Sequence, residues 1–138
     1  DCSNVEGMEQ MAVRCVNLTD VTAVFGGSLK SINMAFYGCS SLRKIDAIID
    51  LSECGDAVNA FTGCSSLEEV RIKRLKVDLA LSDCVNLSMD SVRYLLENVQ
   101  EVSSQRIDLS RKLLEANEEE LGDLGDTASG KGWTIGYK

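Results

Sequence analysis

A block of thirteen residues occurs twice in this chain, at a spacing of 25 residues. It reads AFYGCSSLRKIDA over residues 35–47 and AFTGCSSLEEVRI over residues 60–72. The pattern continues at Cys15 and Cys84, each of which has a leucine three residues later. Self-similarity at a fixed period of about 20 to 50 residues marks a stacked repeat, in which each copy buries its apolar side against the next. The sequence therefore predicts parallel rungs of one repeat.

Alignment on these four cysteines places apolar residues in common columns. Three residues before the cysteine, the column contains Ala12, Phe36, Phe61 and Leu81. Four residues before it, the column contains Met11, Ala35, Ala60 and Ala80, and seven residues before it, Met8, Ile32, Ala57 and Val77. A fifth cysteine, Cys54, falls in a column with Val5 and Leu29, ten residues before the aligned cysteines. Cys54 is therefore predicted to be a small buried hydrophobe.

The aligned thiols are predicted to form a reduced ladder inside the rungs. An inward thiol is small and apolar, and it can donate a weak hydrogen bond to the backbone of the neighbouring rung. Three disulfides, as in a small secreted protein, are the alternative for six cysteines. Cys2 has no column and is the expected free or intermolecular thiol.

The segment after each cysteine is predicted to be a short strand. Alternation directs Ile45 and Ala47 inward in one copy and Val70 and Ile72 inward in the next. The outward residues are then Lys44 and Asp46 beside Glu69 and Arg71. Parallel stacking pairs Lys44 with Glu69 and Asp46 with Arg71, and such pairs contribute about 0.2–1 kcal/mol each. They serve sheet register and solubility, and a ligand site at the same residues is the alternative.

The repeat breaks after Leu87, where a capping region is predicted. Apolar spacing and a Ser or Asp start signal predict a helix over 89–100. A strand over 104–110 follows as the fourth rung, with Ile107 and Leu109 inward, and Ser110 caps a helical turn. A second helix over 117–129 carries acids in its first turn, and a last strand over 133–137 places Trp133 over the open end of the core. The chain is thus one domain, with repeats over 1–87 and a cap over 88–138.

Composition limits the chemistry. A net charge of −8 and a pI near 4.5 argue against nucleic acid or an anionic membrane as partner. The absence of histidine excludes Ser-His-Asp and Cys-His catalysis and a His-ligated zinc, and no Cys-x-x-Cys occurs. No apolar run reaches the roughly 18 residues of a membrane span. We therefore predict that the protein is not an enzyme and binds no metal or cofactor. The chain starts at Asp1 without methionine, so we expect a processed protein or a piece of a longer one.

The repeated blocks resemble the bacterial leucine-rich repeats of the BspA-like type. AFYGCSSLRKI and AFTGCSSLEEV match the A-F-x-x-C-x-x-L-x-x-I core of that family, over roughly residues 1–87. The ending, with N-L-S-x-x-S-V and K-G-W-T-I, is similar to the C-terminal cap of gut-bacterial and phage-associated members. The resemblance implies an α/β fold, a short right-handed leucine-rich-repeat solenoid with a parallel sheet and a helix-containing C-terminal cap. It also implies free cysteines and an extracellular, cell-surface or virion role in adhesion or binding.

The sequence favours two functions. The first is a non-enzymatic module that binds a protein or glycan, on a host or neighbouring cell, through the outward face of the strands. The residues expected there are Thr22, Lys44, Asp46, Glu69, Arg71, Arg106 and Asp108. The second is a structural cap, or the end fragment of a longer repeat array, which associates through its N-terminal edge with its own chain or with an identical copy. The bases Arg71, Lys73, Arg74 and Lys76 are a further candidate anion contact.

Overall fold

The computed structural model describes Cys2 and residues 4–138, and within these residues the fold is mixed α/β with two small parallel sheets and three helices. The elements are β1 (Asp20–Thr22), β2 (Lys44–Asp50), β3 (Glu69–Lys73), β4 (Leu79–Leu81), α1 (Met89–Glu97), β5 (Gln105–Leu109), α2 (Arg111–Ala116), α3 (Glu118–Ser129) and β6 (Trp133–Tyr137). The first sheet has the order β1-β2-β3 and the second the order β4-β5-β6. Asp1 and Ser3 lie outside the described residues.

The repeat copies stack in parallel as the sequence predicts. We call them rung 1 (5–28), rung 2 (29–53) and rung 3 (54–74). Each rung contributes one strand of the first sheet, and a second line of contacts joins the rungs through single bridges between Gly7, Ser31 and Asp56. Between rungs 2 and 3, the Phe36 and Phe61 rings stack at 5.9 Å between their centroids. The core is therefore a column of matching side chains.

The buried thiols form the predicted ladder. Cys39 donates from Sγ to the carbonyl of Ala12 at 2.9 Å, and Cys64 donates to Phe36 at 3.1 Å. Cys84 repeats the contact with Phe61 at 3.7 Å. In each case the accepting carbonyl lies three residues before the cysteine position of the preceding rung. All six cysteines are free thiols, so the disulfide alternative is not observed.

Cys15 departs from this ladder. It is exposed, whereas Cys39, Cys64 and Cys84 are fully buried, so the prediction of an inward thiol is wrong for rung 1. The physical reason is positional, because within the described residues no rung precedes Cys15 to cover it or to offer a carbonyl. Cys2 is only partly exposed, so Cys15 and not Cys2 is the most accessible thiol.

The pairing of β2 with β3 agrees with the repeat alignment at the start of β2 and differs from it at the end. Lys44 pairs with Glu69 as predicted, and their side chains lie 3.4 Å apart from Nζ to Oε2. Arg71, however, pairs with Ile48 and not with Asp46, because a bulge in β2 shifts the register. The predicted Asp46–Arg71 pair is therefore wrong.

The capping region contains the predicted elements with one change of topology. Ser88 and Ser110 accept hydrogen bonds from the first turns of α1 and α2, and Trp133 is buried and donates to the carbonyl of Gln100. The strand over 104–110 is not a fourth rung beside β3. It is β5, which pairs with β4 and β6, while α1 packs against β3. The first sheet is thus closed by a helix.

We expect native thiol reactivity to follow the ladder. Burial raises the pKa of Cys39 and raises the pKa of Cys64 to about 12, so these thiols stay protonated and inaccessible. Alkylation with iodoacetamide at pH 8, mapped by mass spectrometry, should therefore modify Cys15 quickly and the buried thiols only in denaturant. Equal rates at Cys15 and Cys64 would contradict the ladder.

Candidate functional site

A cleft of about 500 Å³ opens on the outward face of the first sheet. Its floor is β2 and β3, and its wall is the first half of α1. The side chains and backbone around it belong to Lys44, Ile45, Asp46, Ala47, Ile48, Glu69, Val70, Arg71, Ser88, Asp90, Ser91 and Tyr94. Four of the seven residues that the sequence places on a partner surface, Lys44, Asp46, Glu69 and Arg71, therefore meet at one concavity.

The bulge in β2 shapes the floor of this cleft. Lys44 lies opposite Glu69, and Ile48 opposite Arg71, so β2 carries two residues more than β3 between these points. The register shift lies between Lys44 and Ile48, in the part of β2 that lines the cleft. Ile48 lies on the same face of β2 as Lys44 and Asp46 and is 44% exposed, so it adds an apolar side chain to that face.

Helix α1 replaces a fourth strand at the edge of β3. The hydroxyl of Ser91 accepts a hydrogen bond from the backbone N–H of Val70 at 3.1 Å, where a strand would otherwise supply a carbonyl. Ser88 donates its hydroxyl to Ser91 at 2.9 Å, and its backbone N–H donates to Glu68 at 2.8 Å. These contacts fix the helix start against the sheet and leave Tyr94 at the cleft wall.

Charges at the cleft differ in their partners. Lys44 forms an ion pair with Glu69 across the strands, and Arg93 joins Asp90 to Glu120 on α3. Asp46 and Arg71 are exposed, and among the described residues neither has an oppositely charged atom within 4.0 Å. A carboxylate and a guanidinium at one cleft are thus available to a ligand, as hydrogen-bond acceptor and donor.

Asp50 anchors the far end of β2. It is 7% exposed and receives hydrogen bonds from the Arg74 guanidinium and from the N–H of Ser52, with Lys73 nearby. Burial raises the pKa of this carboxyl, but the hydrogen bonds from Arg74 and Ser52 outweigh burial and hold the pKa below its ordinary value. Two of the four clustered bases, Lys73 and Arg74, therefore serve as structural partners of Asp50, and of the other two only Arg71 lines the cleft.

The other predicted partner residues lie elsewhere. Thr22 is exposed at the end of β1, where its backbone pairs with Asp46. Arg106 and Asp108 lie on β5 in the second sheet, so they are not part of one patch with the first sheet. Asp108 is 9% exposed and pairs with Arg106 at 2.7 Å and with Lys138 at 3.2 Å, so the prediction that it lies on an outward face is wrong.

Glycine at position 136 makes that ion pair feasible. A Cβ atom there would lie 1.9 Å from a guanidinium nitrogen of Arg106 and 2.4 Å from Oδ1 of Asp108. The guanidinium thus lies directly over the Gly136 backbone. This arrangement is a structural clamp between β5 and β6.

Sequence reasoning missed Ile48, Tyr94 and the serine contacts at the cleft. The buried Ile45 and Ile49 of β2 are four residues apart, whereas the buried Val70 and Ile72 of β3 are two apart. Pairing at both ends of the strands therefore requires two additional residues in β2, which the bulge accommodates. The position of α1 had no such signal, since it depends on packing.

Among Cys2 and residues 4–138, no helix combines the length and apolar character required to cross a membrane. Within the same residues, no three Cys, Asp or Glu side chains gather where they could hold a metal ion. Comparison of the chain with protein-family models, curated proteins and solved structures gave no match.

The Ser91 contact should contribute measurably to stability. Replacing Ser91 with Ala leaves the buried N–H of Val70 without an acceptor, which we expect to lower the free energy of unfolding by about 1–3 kcal/mol. Urea unfolding followed by circular dichroism measures this loss. Ser104→Ala, in an exposed loop, is the matched control and should change little. Equal stability of the two variants would contradict the role of Ser91.

The Asp50 anchor should depend on pH in a defined direction. Because the folded-state pKa lies below the unfolded value near 3.8, its stabilisation is present above that value and is lost as pH falls through the folded pKa. Asp50→Asn should therefore be less stable than the parent at neutral pH, and the difference should shrink in acid. Thermal unfolding from pH 7 to pH 2 checks this, with the exposed Glu101→Gln as control. A difference that grows in acid would contradict it.

Proposed function

We propose that this chain is a non-enzymatic recognition module, built as a short right-handed leucine-rich-repeat solenoid of the BspA-like type with a helical C-terminal cap. The repeated A-F-x-x-C-x-x-L pattern, the parallel stacking of the rungs and the ladder of free thiols support this fold. Its place of action is the cell surface, the extracellular space or a virion. Its partner is a protein or glycan on a host or neighbouring cell.

The cleft over β2 and β3 is the proposed binding surface. The observation that carries the proposal is the meeting of Asp46 and Arg71, both exposed and without an ion pair among the described residues, at one cleft of about 500 Å³. Most other ionic contacts here join neighbouring elements of the fold. Charged groups that stabilise no neighbour are free to set specificity for a partner.

Other residues at the cleft suit macromolecular recognition. Tyrosine and arginine are enriched among residues that dominate binding energy, and Tyr94 and Arg71 both line the cleft. Ile48 adds an exposed apolar side chain to the lining, and its strand partner is Arg71. The Lys44–Glu69 pair stiffens one rim, so less side-chain entropy is lost on binding there. No cofactor is required for this role.

Charge reversal at the cleft tests the proposal. The double variant Asp46→Lys with Arg71→Glu keeps the net charge but reverses both free groups. A glycan array and a displayed peptide library would be probed with the parent chain, and each hit measured again with the variant. We expect a loss of affinity of at least about tenfold, which corresponds to about 1.4 kcal/mol.

A second double variant provides the control. Lys112→Glu with Glu115→Lys makes the same change of charges on the exposed face of α2, away from the cleft. This variant should bind like the parent, and both variants should unfold within a few degrees of it. Equal affinity of the cleft variant and the parent would refute the cleft as the binding surface. If the thermal midpoint of the cleft variant fell together with its affinity, the loss of binding would be due to unfolding.

A further inference from the structure

Cys15 and Cys39 are neighbours across the contact between rung 1 and rung 2. They occupy the same column, and Cys15 is exposed whereas Cys39 is fully buried. The Sγ atom of Cys39 donates to the carbonyl of Ala12 at 2.9 Å, and the backbone N–H of Cys15 donates to the same oxygen at 3.1 Å. An exposed thiol and a buried thiol therefore meet beside one carbonyl.

The backbones of the two rungs are in close contact immediately before these thiols. The N–H of Arg14 donates to the carbonyl of Tyr37 at 2.7 Å, and a Cβ atom at Gly38 would lie 3.6 Å from the Cα of Arg14. Hydrogen-bonded neighbouring strands lie about 4.8 Å apart, and a disulfide joins Cα atoms about 4.4–6.8 Å apart. The spacing of the rungs is therefore compatible with a disulfide between Cys15 and Cys39.

Solvent reaches this arrangement at only one position of the ladder. The Sγ atom of Cys64 donates to the carbonyl of Phe36, which also accepts the backbone N–H of Cys39 at 3.0 Å, so the geometry recurs one rung further in. Cys39, Cys64 and Cys84 are all fully buried, however. Of the four aligned cysteines, only Cys15 is exposed to an oxidant from solvent.

We propose that Cys15 and Cys39 are an oxidation-sensitive thiol pair, which closes to a disulfide in the presence of a hydroperoxide. In the first step the Cys15 sulfur attacks the O–O bond and is oxidised to a sulfenic acid, while the hydroperoxide is reduced to an alcohol, or to water if it is hydrogen peroxide. In the second step the Cys39 sulfur attacks the Cys15 sulfur. The S–S bond forms, the S–O bond breaks, and the hydroxyl group leaves as water with the Cys39 proton.

The fold accommodates this bond. Because Cys15 is exposed, its side chain can rotate toward Cys39 without displacing a packed neighbour. The disulfide removes the thiol donor from the carbonyl of Ala12, but the N–H of Cys15 still donates to that oxygen, so no buried acceptor is left unpaired. The rest of the ladder is unchanged, since Cys64 donates to Phe36 and not to Cys39.

The two steps should differ in rate. Access favours the first step, because Cys15 is exposed. Burial raises the pKa of Cys39, which keeps this thiol protonated and a poor nucleophile in the second step. The sulfenic acid at Cys15 should therefore accumulate before the disulfide does, and dimedone, which reacts with sulfenic acids, should trap it at early times.

Peptide mapping after peroxide treatment tests the proposal. The Cys2→Ser chain, dilute to limit contacts between molecules, is treated with hydrogen peroxide, alkylated in denaturant and digested with trypsin without reductant. Cleavage after Arg14, Lys30 and Arg43 places Cys15 in peptide 15–30 and Cys39 in peptide 31–43. We expect these two peptides to be joined, at least about tenfold more often than any other pair of cysteines, and to separate on reduction.

Three variants in the same background complete the test, each checked for folding by circular dichroism. Cys39→Ser removes the resolving thiol, so Cys15 should remain a dimedone-reactive sulfenic acid for longer and then become a sulfinic acid. Cys15→Ser removes the exposed thiol, so Cys39 should stay unmodified. Cys84→Ser, at the other end of the ladder, is the matched control and should form the bond as the parent does.

Several results with the folded parent would overturn the proposal. One is a disulfide between the Cys15 residues of two chains in place of the internal bond. Another is conversion of Cys15 to sulfinic acid while Cys39 remains a free thiol. A third is no oxidation of Cys15 at a peroxide concentration that oxidises free cysteine, since the first step would then not occur.

Discussion

The structure depends on hydrogen bonds that repeat between successive rungs. Backbone N–H groups donate in both directions between neighbouring rungs, as Ala12 does to Ala35 and Arg43 to Thr19, and the buried thiols donate a weak hydrogen bond to the preceding rung. Both sets of contacts need the same spacing in each copy, which explains why alanine, phenylalanine, cysteine and leucine recur in columns. Because burial raises the thiol pKa values, the ladder remains a set of neutral donors within an apolar core.

The candidate site arises where this regularity stops. Rungs with equal strands would give a flat outward face, but β2 carries two extra residues between Lys44 and Ile48, and a helix takes the place of the next strand beside β3. Ser91 replaces the missing strand carbonyl for the N–H of Val70, so the helix can approach without leaving a buried donor unpaired. The bulge and the helix together produce a concavity that a uniform repeat would lack.

The charged side chains differ in whether they form ion pairs within the fold. Asp50 and Glu120 join segments that are distant in sequence, through Arg74 and Arg93, and Asp108 joins β5 to the end of the chain through Lys138. These pairs have one partly or largely buried partner, which is where an ion pair contributes more than at an open surface. Asp46 and Arg71 join no elements in the described part of the chain, and they lie at the cleft. The proposed binding surface is therefore the cleft over β2 and β3, and not all seven residues that the sequence placed on one surface.

Sequence periodicity by itself determined the rungs, the inward columns and the burial of Cys39, Cys64 and Cys84, because these follow from local spacing. Most of the capping elements were determined by the sequence as well, through helix start signals such as Ser88 and Ser110. Tertiary structure alone decided the register beyond Lys44, the exposure of Cys15 and the sheet to which β5 belongs. Each of these depends on which neighbour occupies a given edge. The Asp46–Arg71 pair failed for this reason, since a bulge stabilised by packing shifts partners without any change in the repeat. Asp108 likewise became a buried clamp because β6 and Lys138 cover it, and no pattern along β5 encodes that cover.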